Sequence, residues 1–143
     1  MKKFLFSLIV GFCALSISAQ EYVDMGLPSG TKWKNRTESG YYTYEQAIEK
    51  YGTGLPSKEQ VIELRDKCKW IWGNNGCKVI GPNGNSIFLP ANGVNRCTTK
   101  FISEGTYGCY WTRTKSPSED DMAFHIHFCS VSPGVHIEYL CCL

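Results

Sequence analysis

The stretch from Gly54 to Gly93, GLPSKEQVIELRDKCKWIWGNNGCKVIGPNGNSIFLPANG, carries the clearest structural pattern in the chain. Ser57 is placed to cap a helix, and Gln60, three residues later, completes a capping box. Val61 and Leu64 give that helix an apolar face. The Asn-Gly pair in the tight GPNG turn lies between two apolar runs and is a strong hairpin signal. The stretch therefore predicts a helix followed by a hairpin.

Two tryptophans lie between this helix and the hairpin. Trp70 and Trp72 are two residues apart, so on a β-strand they point to the same side and offer a large apolar area. Core packing explains that area, and a platform for stacking sugars is the alternative. Cys68 at the helix end and Cys77 in the hairpin either join the two elements by a disulfide or remain separate.

The sequence before this stretch predicts a hairpin and another helix. Glu21–Lys34 contains two short extended pieces around a Pro-Ser-Gly turn, with Val23 and Trp33 as core residues. Thr43 caps the helix, which ends at Gly52. Its apolar stripe, with the i, i+3, i+4, i+7 spacing of one helix face, consists of Tyr44, Ala47, Ile48 and Tyr51.

The sequence after this stretch predicts a strand from Tyr107 to Thr114 and a final hairpin turning at Ser132-Pro133-Gly134. Alternation along the strand places Cys109, Trp111 and Arg113 on one side and Tyr110 and Thr112 on the other. In the final hairpin, alternation places Phe124, Ile126 and Phe128 on one face and His125, His127 and Cys129 on the opposite face.

All three histidines fall in that final hairpin. For a turn centred near Val131, His127 lies opposite His136, and His125 lies opposite Glu138. Imidazole and carboxylate groups are ligands for zinc and copper, so these four residues are a candidate transition-metal site on an exposed sheet face. Histidines on a solvated strand face are also commonly just polar residues.

The first 19 residues have the pattern of a secretory signal peptide, with two lysines, an apolar run and small residues near the cleavage point. The apolar run is too short to span a bilayer. Bulky Phe12 precedes Cys13, which disfavours a lipoprotein signal. We expect a leader at 1–19, one domain at 20–143, and export to a secreted, periplasmic or cell-surface location.

Charge and size limit the function classes. Removal of Lys2 and Lys3 reduces the 15 basic residues to 13, which equals the 13 acidic residues. A near-neutral chain without a basic cluster disfavours nucleic acid and anionic membranes as partners. We also expect no membrane span, and about 120 residues suit a single domain.

Seven cysteines follow the leader, and in an exported chain this number suggests disulfides. Because seven is odd, at least one thiol stays reduced or pairs with another molecule. If Trp111 faces the core, alternation places Cys109 and Cys129 on opposite faces, which argues against a bond between them. The candidates are Cys68, Cys77, Cys97, Cys109, Cys129, Cys141 and Cys142.

Several motifs together resemble the Fibrobacter succinogenes major paralogous domain (FISUMP) family of exported Bacteroidetes proteins. They are EYVDMGLPSGTKW at 21–33, LPSKEQ at 55–60, CKWIW at 68–72, GCKVIGPNGNSIFLPANG at 76–93 and GTYGCYWTRT at 105–114. The Leu-Pro helix start also resembles that of formylglycine-generating enzymes. The resemblance implies a C-type-lectin-like α+β fold, in which two helices flank a small, twisted, mostly antiparallel sheet.

Two positions depart from the family pattern. The chain stops at Leu143, whereas relatives continue into a final strand, so either the domain is trimmed or the gene is truncated and a sheet edge is exposed. Relatives tend to carry aromatic residues at the positions of His125 and His127, which makes this face a variable surface.

The leading functional hypothesis is a non-catalytic exported binding or adhesion module that recognises an extracellular glycan or protein and needs no cofactor. The sugar-binding calcium motifs of this fold class are absent, and the acidic run at 119–121 is only a weak calcium candidate. The ligand candidates, on variable loops and an exposed sheet face, are Tyr110, Arg113, His125, His127 and His136.

Two alternatives come from other classes. One is a structural subunit that self-associates by strand addition at an exposed sheet edge. The other is a cysteine-dependent enzyme resembling the formylglycine-generating oxidases, with Cys129 beside His127 as its reactive pair.

Overall fold

The computed structural model describes residues 21–35, 37, 40–94, 103–118, 122–131 and 134–141. In these ranges the fold is α+β, with two α-helices and three small antiparallel sheets. The elements in chain order are β1 (Tyr22–Asp24), β2 (Lys32–Lys34), α1 (Tyr44–Tyr51), α2 (Lys58–Lys67), β3 (Lys69–Trp72), β4 (Gly76–Ile80), β5 (Ser86–Pro90), β6 (Tyr107–Lys115), β7 (Met122–Cys129) and β8 (Val135–Cys141).

The described strands do not form the one small sheet that the sequence predicted. They form β1-β2, β3-β4-β5 and β6-β7-β8, and every pairing is between strands adjacent in the chain. Both helices separate β2 from β3, and the segment from Ala91 to Thr106 separates β5 from β6. Because short turns favour pairing of neighbouring strands, each hairpin forms its own small sheet.

Both predicted helix caps are confirmed. The Thr43 hydroxyl accepts from the backbone N–H of Gln46 at 3.2 Å, and the Gln46 side chain accepts from the Thr43 N–H at 3.0 Å. Ser57 and Gln60 form the same reciprocal pair at the start of α2. Gly52 ends α1 with φ +49°, a left-handed value that glycine adopts at little cost.

The main core lies between the first two sheets and α2. Its buried members are Met25, Leu27, Leu64, Val79 and Ile87, and the partly buried hydrophobics that pack against them are Val23, Trp33, Cys68, Trp70 and Leu89. Val23 and Trp33 therefore contribute to the core as the N-terminal hairpin pattern predicted.

Phe128 of β7 joins this core to the third sheet. Its side chain is 1 % exposed, and its ring lies 5.8 Å from that of Trp70, 6.2 Å from Trp72 and 6.0 Å from Tyr110, measured between centroids. Gly108 lies directly opposite Phe128 across the β6–β7 ladder, where a side chain would overlap the phenyl ring. The tryptophan pair thus has a packing partner, as the core interpretation requires.

The third sheet carries the histidine-rich hairpin. Its β6–β7 register is regular up to Trp111 opposite His125 and shifts before Lys115 opposite Ala123, which marks a bulge in β6. Thr112 is fully buried in this bulge, and its hydroxyl donates to the Phe124 carbonyl at 2.9 Å. No helix in the described ranges has the length and apolarity needed to cross a bilayer.

Candidate functional site

The structure confirms the predicted register of the histidines. His127 lies opposite His136, and His125 lies opposite Glu138, across the β7–β8 ladder. The ring centroids of His125 and His127 are 5.2 Å apart, as are those of His127 and His136, and both pairs are stacked with an interplanar angle of 22°. These four residues are called the histidine face below.

One half of the histidine face is not exposed, which corrects the expected exposure of His125. Its side chain is only 3 % exposed. Tyr44 of α1 packs with Ala123 and Trp111, and the Trp111 ring meets the His125 ring edge-on at 6.3 Å. Helix α1 therefore covers this end of the face, while His127 is partly buried and His136 and Glu138 are exposed.

Tyr110 is likewise not the exposed ligand contact that the sequence predicted. Its hydroxyl donates to the carbonyl of Pro90, its ring stacks on Phe128, and burial raises the pKa of its hydroxyl well above the usual range. Arg113 is exposed, yet its guanidinium donates to the Leu55 carbonyl and to Gln60 Oε1. Arg113 thus fixes the loop before α2, and this contact accounts for its position.

The cysteine predictions have mixed outcomes. Cys109 lies opposite His127, and Tyr107 lies opposite Cys129, so the two thiols share one face of the sheet and not the opposite faces expected for a core-facing Trp111. The strand pairing places both on the histidine side, because directly opposed residues of an antiparallel ladder point the same way. No disulfide joins the described thiols Cys68, Cys77, Cys109 and Cys129.

Cys68 and Cys77 therefore do not lock α2 to the hairpin. Burial raises the pKa of Cys77 to about 11, and burial with the charge of Glu63 raises that of Cys68. Both thiols are thus poor nucleophiles near neutral pH. The leader at 1–19, Cys97, Cys142, the acidic run at 119–121 and the turn at 132–133 lie outside the described residues, and Cys141 is described only as the backbone end of β8.

A cleft of about 580 Å³ opens between the N-terminal hairpin, the two helices and the third sheet. Its volume is within the range of small-molecule sites. Aromatic side chains line much of it, and aliphatic side chains complete its apolar part. The aromatic residues are Tyr22, Trp33, Tyr41, Tyr42, Tyr51, Tyr110 and Trp111, and the aliphatic ones are Ala47, Leu55, Val61, Leu64, Leu89, Val94 and Ile126.

Tyr42 and Tyr51 form an ordered aromatic wall of this cleft. Their rings meet edge to face, with centroids 5.7 Å apart. The Lys50 ammonium lies 4.8 Å from the Tyr42 centroid and 5.1 Å from that of Tyr51, and it donates to the Tyr42 hydroxyl at 2.9 Å. Trp111 Nε1 donates to the Tyr42 carbonyl at 3.0 Å, which ties this wall to β6.

Trp33 lines the cleft with part of its indole ring. Its Nε1 is buried and has no hydrogen-bond acceptor among the described residues. This atom has almost no accessible surface, so Trp33 offers the cleft its ring surface rather than its N–H. Thr31 and Gln60 also line the cleft and supply a hydroxyl and an amide.

The ligand candidates predicted from the sequence lie between Tyr110 and His136. The sequence did not predict the cleft, because its walls come from segments far apart in the chain. One feature of the sequence did point to the cleft. Four tyrosines cluster between Gly40 and Gly52, and the helix stripe accounts for only two of them, Tyr44 and Tyr51. Tyr41 and Tyr42 precede the cap and had no packing role. In the structure the Tyr41 hydroxyl lies 2.6 Å from the Asn92 carbonyl and 2.9 Å from Glu104 Oε1.

No protein-family description, curated protein or solved structure matches this chain. The described residues therefore define it by its fold alone, which is α+β with two α-helices and three antiparallel sheets.

Proposed function

We propose that this protein is an exported, non-catalytic binding module whose cleft receives one or two sugar units of a glycan. The aromatic lining of the 580 Å³ cleft carries this proposal. The expected ligand surface moves from the exposed sheet face to the cleft, because His125 and Tyr110 are largely buried in packing contacts.

The composition of the cleft favours a sugar over a purely apolar ligand. A sugar ring offers an apolar face to aromatic side chains and hydroxyls to polar groups, so it needs both kinds of lining. Tyr42 and Tyr51 supply ring surface, and Thr31 and Gln60 supply donors and acceptors. A flat protein surface would not fill a concave cleft of this volume.

The resemblance to the FISUMP family supports the export and adhesion parts of the proposal. We extend it to the fold and propose that the two capped helices and the hairpins form a C-type-lectin-like domain. The sugar-binding calcium motifs of that fold are absent from the sequence, so the proposed binding does not depend on calcium.

A glycan array probed with the purified protein, with and without chelator, tests the proposal. We expect chelator-resistant binding to a limited set of glycans. Tyr42→Leu removes aromatic ring surface from the wall of the cleft, so it should weaken binding about tenfold. Phe88→Ala, which changes an exposed ring that does not line the cleft, is the control. An array without signal, or equal loss in both variants, contradicts the proposal.

Assembly by strand addition is the second candidate, and the position of β8 favours it. Among the described strands, the order β6-β7-β8 places β8 at the edge of its sheet, and edge N–H and C=O groups can pair with another chain. Light scattering of the purified protein distinguishes the two candidates. A concentration-dependent oligomer supports assembly, and a monomer stable to dilution removes it.

A further inference from the structure

Three residues of the histidine face lie close enough together to bind a metal ion. His127, His136 and Glu138 each offer one ligand atom, and these atoms all lie within 4.8 Å of one another. His127 and His136 are cross-strand partners, and Glu138 is two residues beyond His136 on the same side of β8. The three residues do not line the cleft.

From this arrangement we infer that His127, His136 and Glu138 bind one zinc ion at the surface of the third sheet. Two imidazoles and a carboxylate form a donor set that zinc accepts, whereas calcium and magnesium prefer oxygen ligands alone. Three protein ligands leave the fourth tetrahedral position for water or for an atom of another molecule.

The surroundings of His127 support its role as the anchoring ligand. Its Nδ1 lies 3.2 Å from Nε2 of buried His125, so Nε2 is the nitrogen of His127 that we assign to the metal. Stacking on Tyr107, with centroids 5.5 Å apart and planes 19° apart, also fixes the ring. Ring contacts and a hydrogen bond from the second ring nitrogen are the usual way in which a protein orients a metal-binding histidine.

Stacking alone does not account for the whole cluster. It explains the spacing of the imidazole rings, but it gives no role to the carboxylate that Glu138 places beside His127 and His136. Ligand atoms bound to one tetrahedral zinc are about 3.3 Å apart, from zinc–ligand distances near 2.0–2.1 Å. Exposed His136 and Glu138 have room to close the remaining distance by side-chain rotation.

Calorimetric titration of the purified protein with zinc chloride tests the inference, with His136→Gln and Glu138→Gln as variants. Both residues are exposed, so neither change should unfold the chain, and circular dichroism checks this. Glu49→Gln alters an exposed acid on α1 and is the matched control. Even outer-shell partners are worth about 10–100-fold in metal affinity, so loss of a ligand should weaken binding at least about tenfold.

The expected result is one zinc ion per chain, weakened in both variants and unchanged in Glu49→Gln. Cobalt substituted for zinc should give a tetrahedral visible spectrum without sulfur charge-transfer bands. The inference is overturned by the absence of saturable binding, by variants that bind like the wild type, or by charge-transfer bands that assign the metal to cysteine thiolates. Because the cleft is separate, loss of zinc binding in these variants with glycan binding retained leaves the proposed function intact.

Discussion

Replacement of Phe128 by alanine tests how the third sheet is attached to the main core. The phenyl ring is 1 % exposed and contacts Trp70, Trp72 and Tyr110. Removing a buried phenylalanine costs about 3–5 kcal/mol, and the aromatic pairs place this site toward the upper end. Folded proteins are typically stable by about 5–15 kcal/mol, so a large share of the stability should be lost.

Urea unfolding followed by tryptophan fluorescence measures this loss, and thermal unfolding should show a decrease in Tm of about 15 °C. Phe88→Ala is the matched control and should cost clearly less, because that ring is 37 % exposed. Gly108→Ala should be destabilising in the wild type, since its new Cβ would overlap the Phe128 ring, and less so together with Phe128→Ala. If Phe128→Ala lowers the free energy of unfolding by less than about 2 kcal/mol, or by as much as Phe88→Ala does, Phe128 does not join the third sheet to the main core.

Two further predictions concern backbone contact and thiol chemistry. Gly81→Ala should lower the free energy of unfolding in urea by about 1–3 kcal/mol, because the new Cβ would overlap the Met25 carbonyl oxygen. The control Gly54→Ala has open space at its Cβ and should change that free energy by no more than about 0.5 kcal/mol. Equal effects of the two substitutions would contradict this packing. Alkylation of Cys77 at pH 8, monitored by mass spectrometry, should be about a hundredfold slower in the native protein than in urea. The reason is that burial raises the pKa of Cys77 to about 11, so its thiolate forms only as the pH approaches that value. Equal alkylation rates in both states would show that Cys77 is not buried as described.

Local signals in the sequence were sufficient for most of the secondary structure. The capping boxes at Thr43 and Ser57 depend on side chains three residues apart, and the GPNG hairpin depends on a single turn. The β7–β8 register followed in the same way, because a short turn and period-2 alternation determine which residues face each other.

Exposure and site location could not be predicted in this way, because they depend on contacts between distant segments. His125 is buried because Tyr44 of α1 packs with Ala123 and Trp111, and nothing near His125 in the sequence indicates that contact. Period-2 alternation also gave no sign of the bulge after Trp111. The cleft combines residues from Tyr22 to Ile126, so no single stretch carries its pattern.

The most direct test of the proposed function follows the four tryptophan indole N–H signals by nitrogen–proton NMR during titration with a glycan selected on the array. Trp70 Nε1 donates to the Leu64 carbonyl and Trp111 Nε1 to the Tyr42 carbonyl, while Trp33 Nε1 has no acceptor among the described residues. Trp33 and Trp111 line the cleft, whereas Trp70 and Trp72 do not. A glycan in the cleft should therefore shift the Trp33 and Trp111 signals and have little effect on those of Trp70 and Trp72. A titration that shifts Trp70 or Trp72 and leaves Trp33 unchanged would contradict the cleft as the binding site.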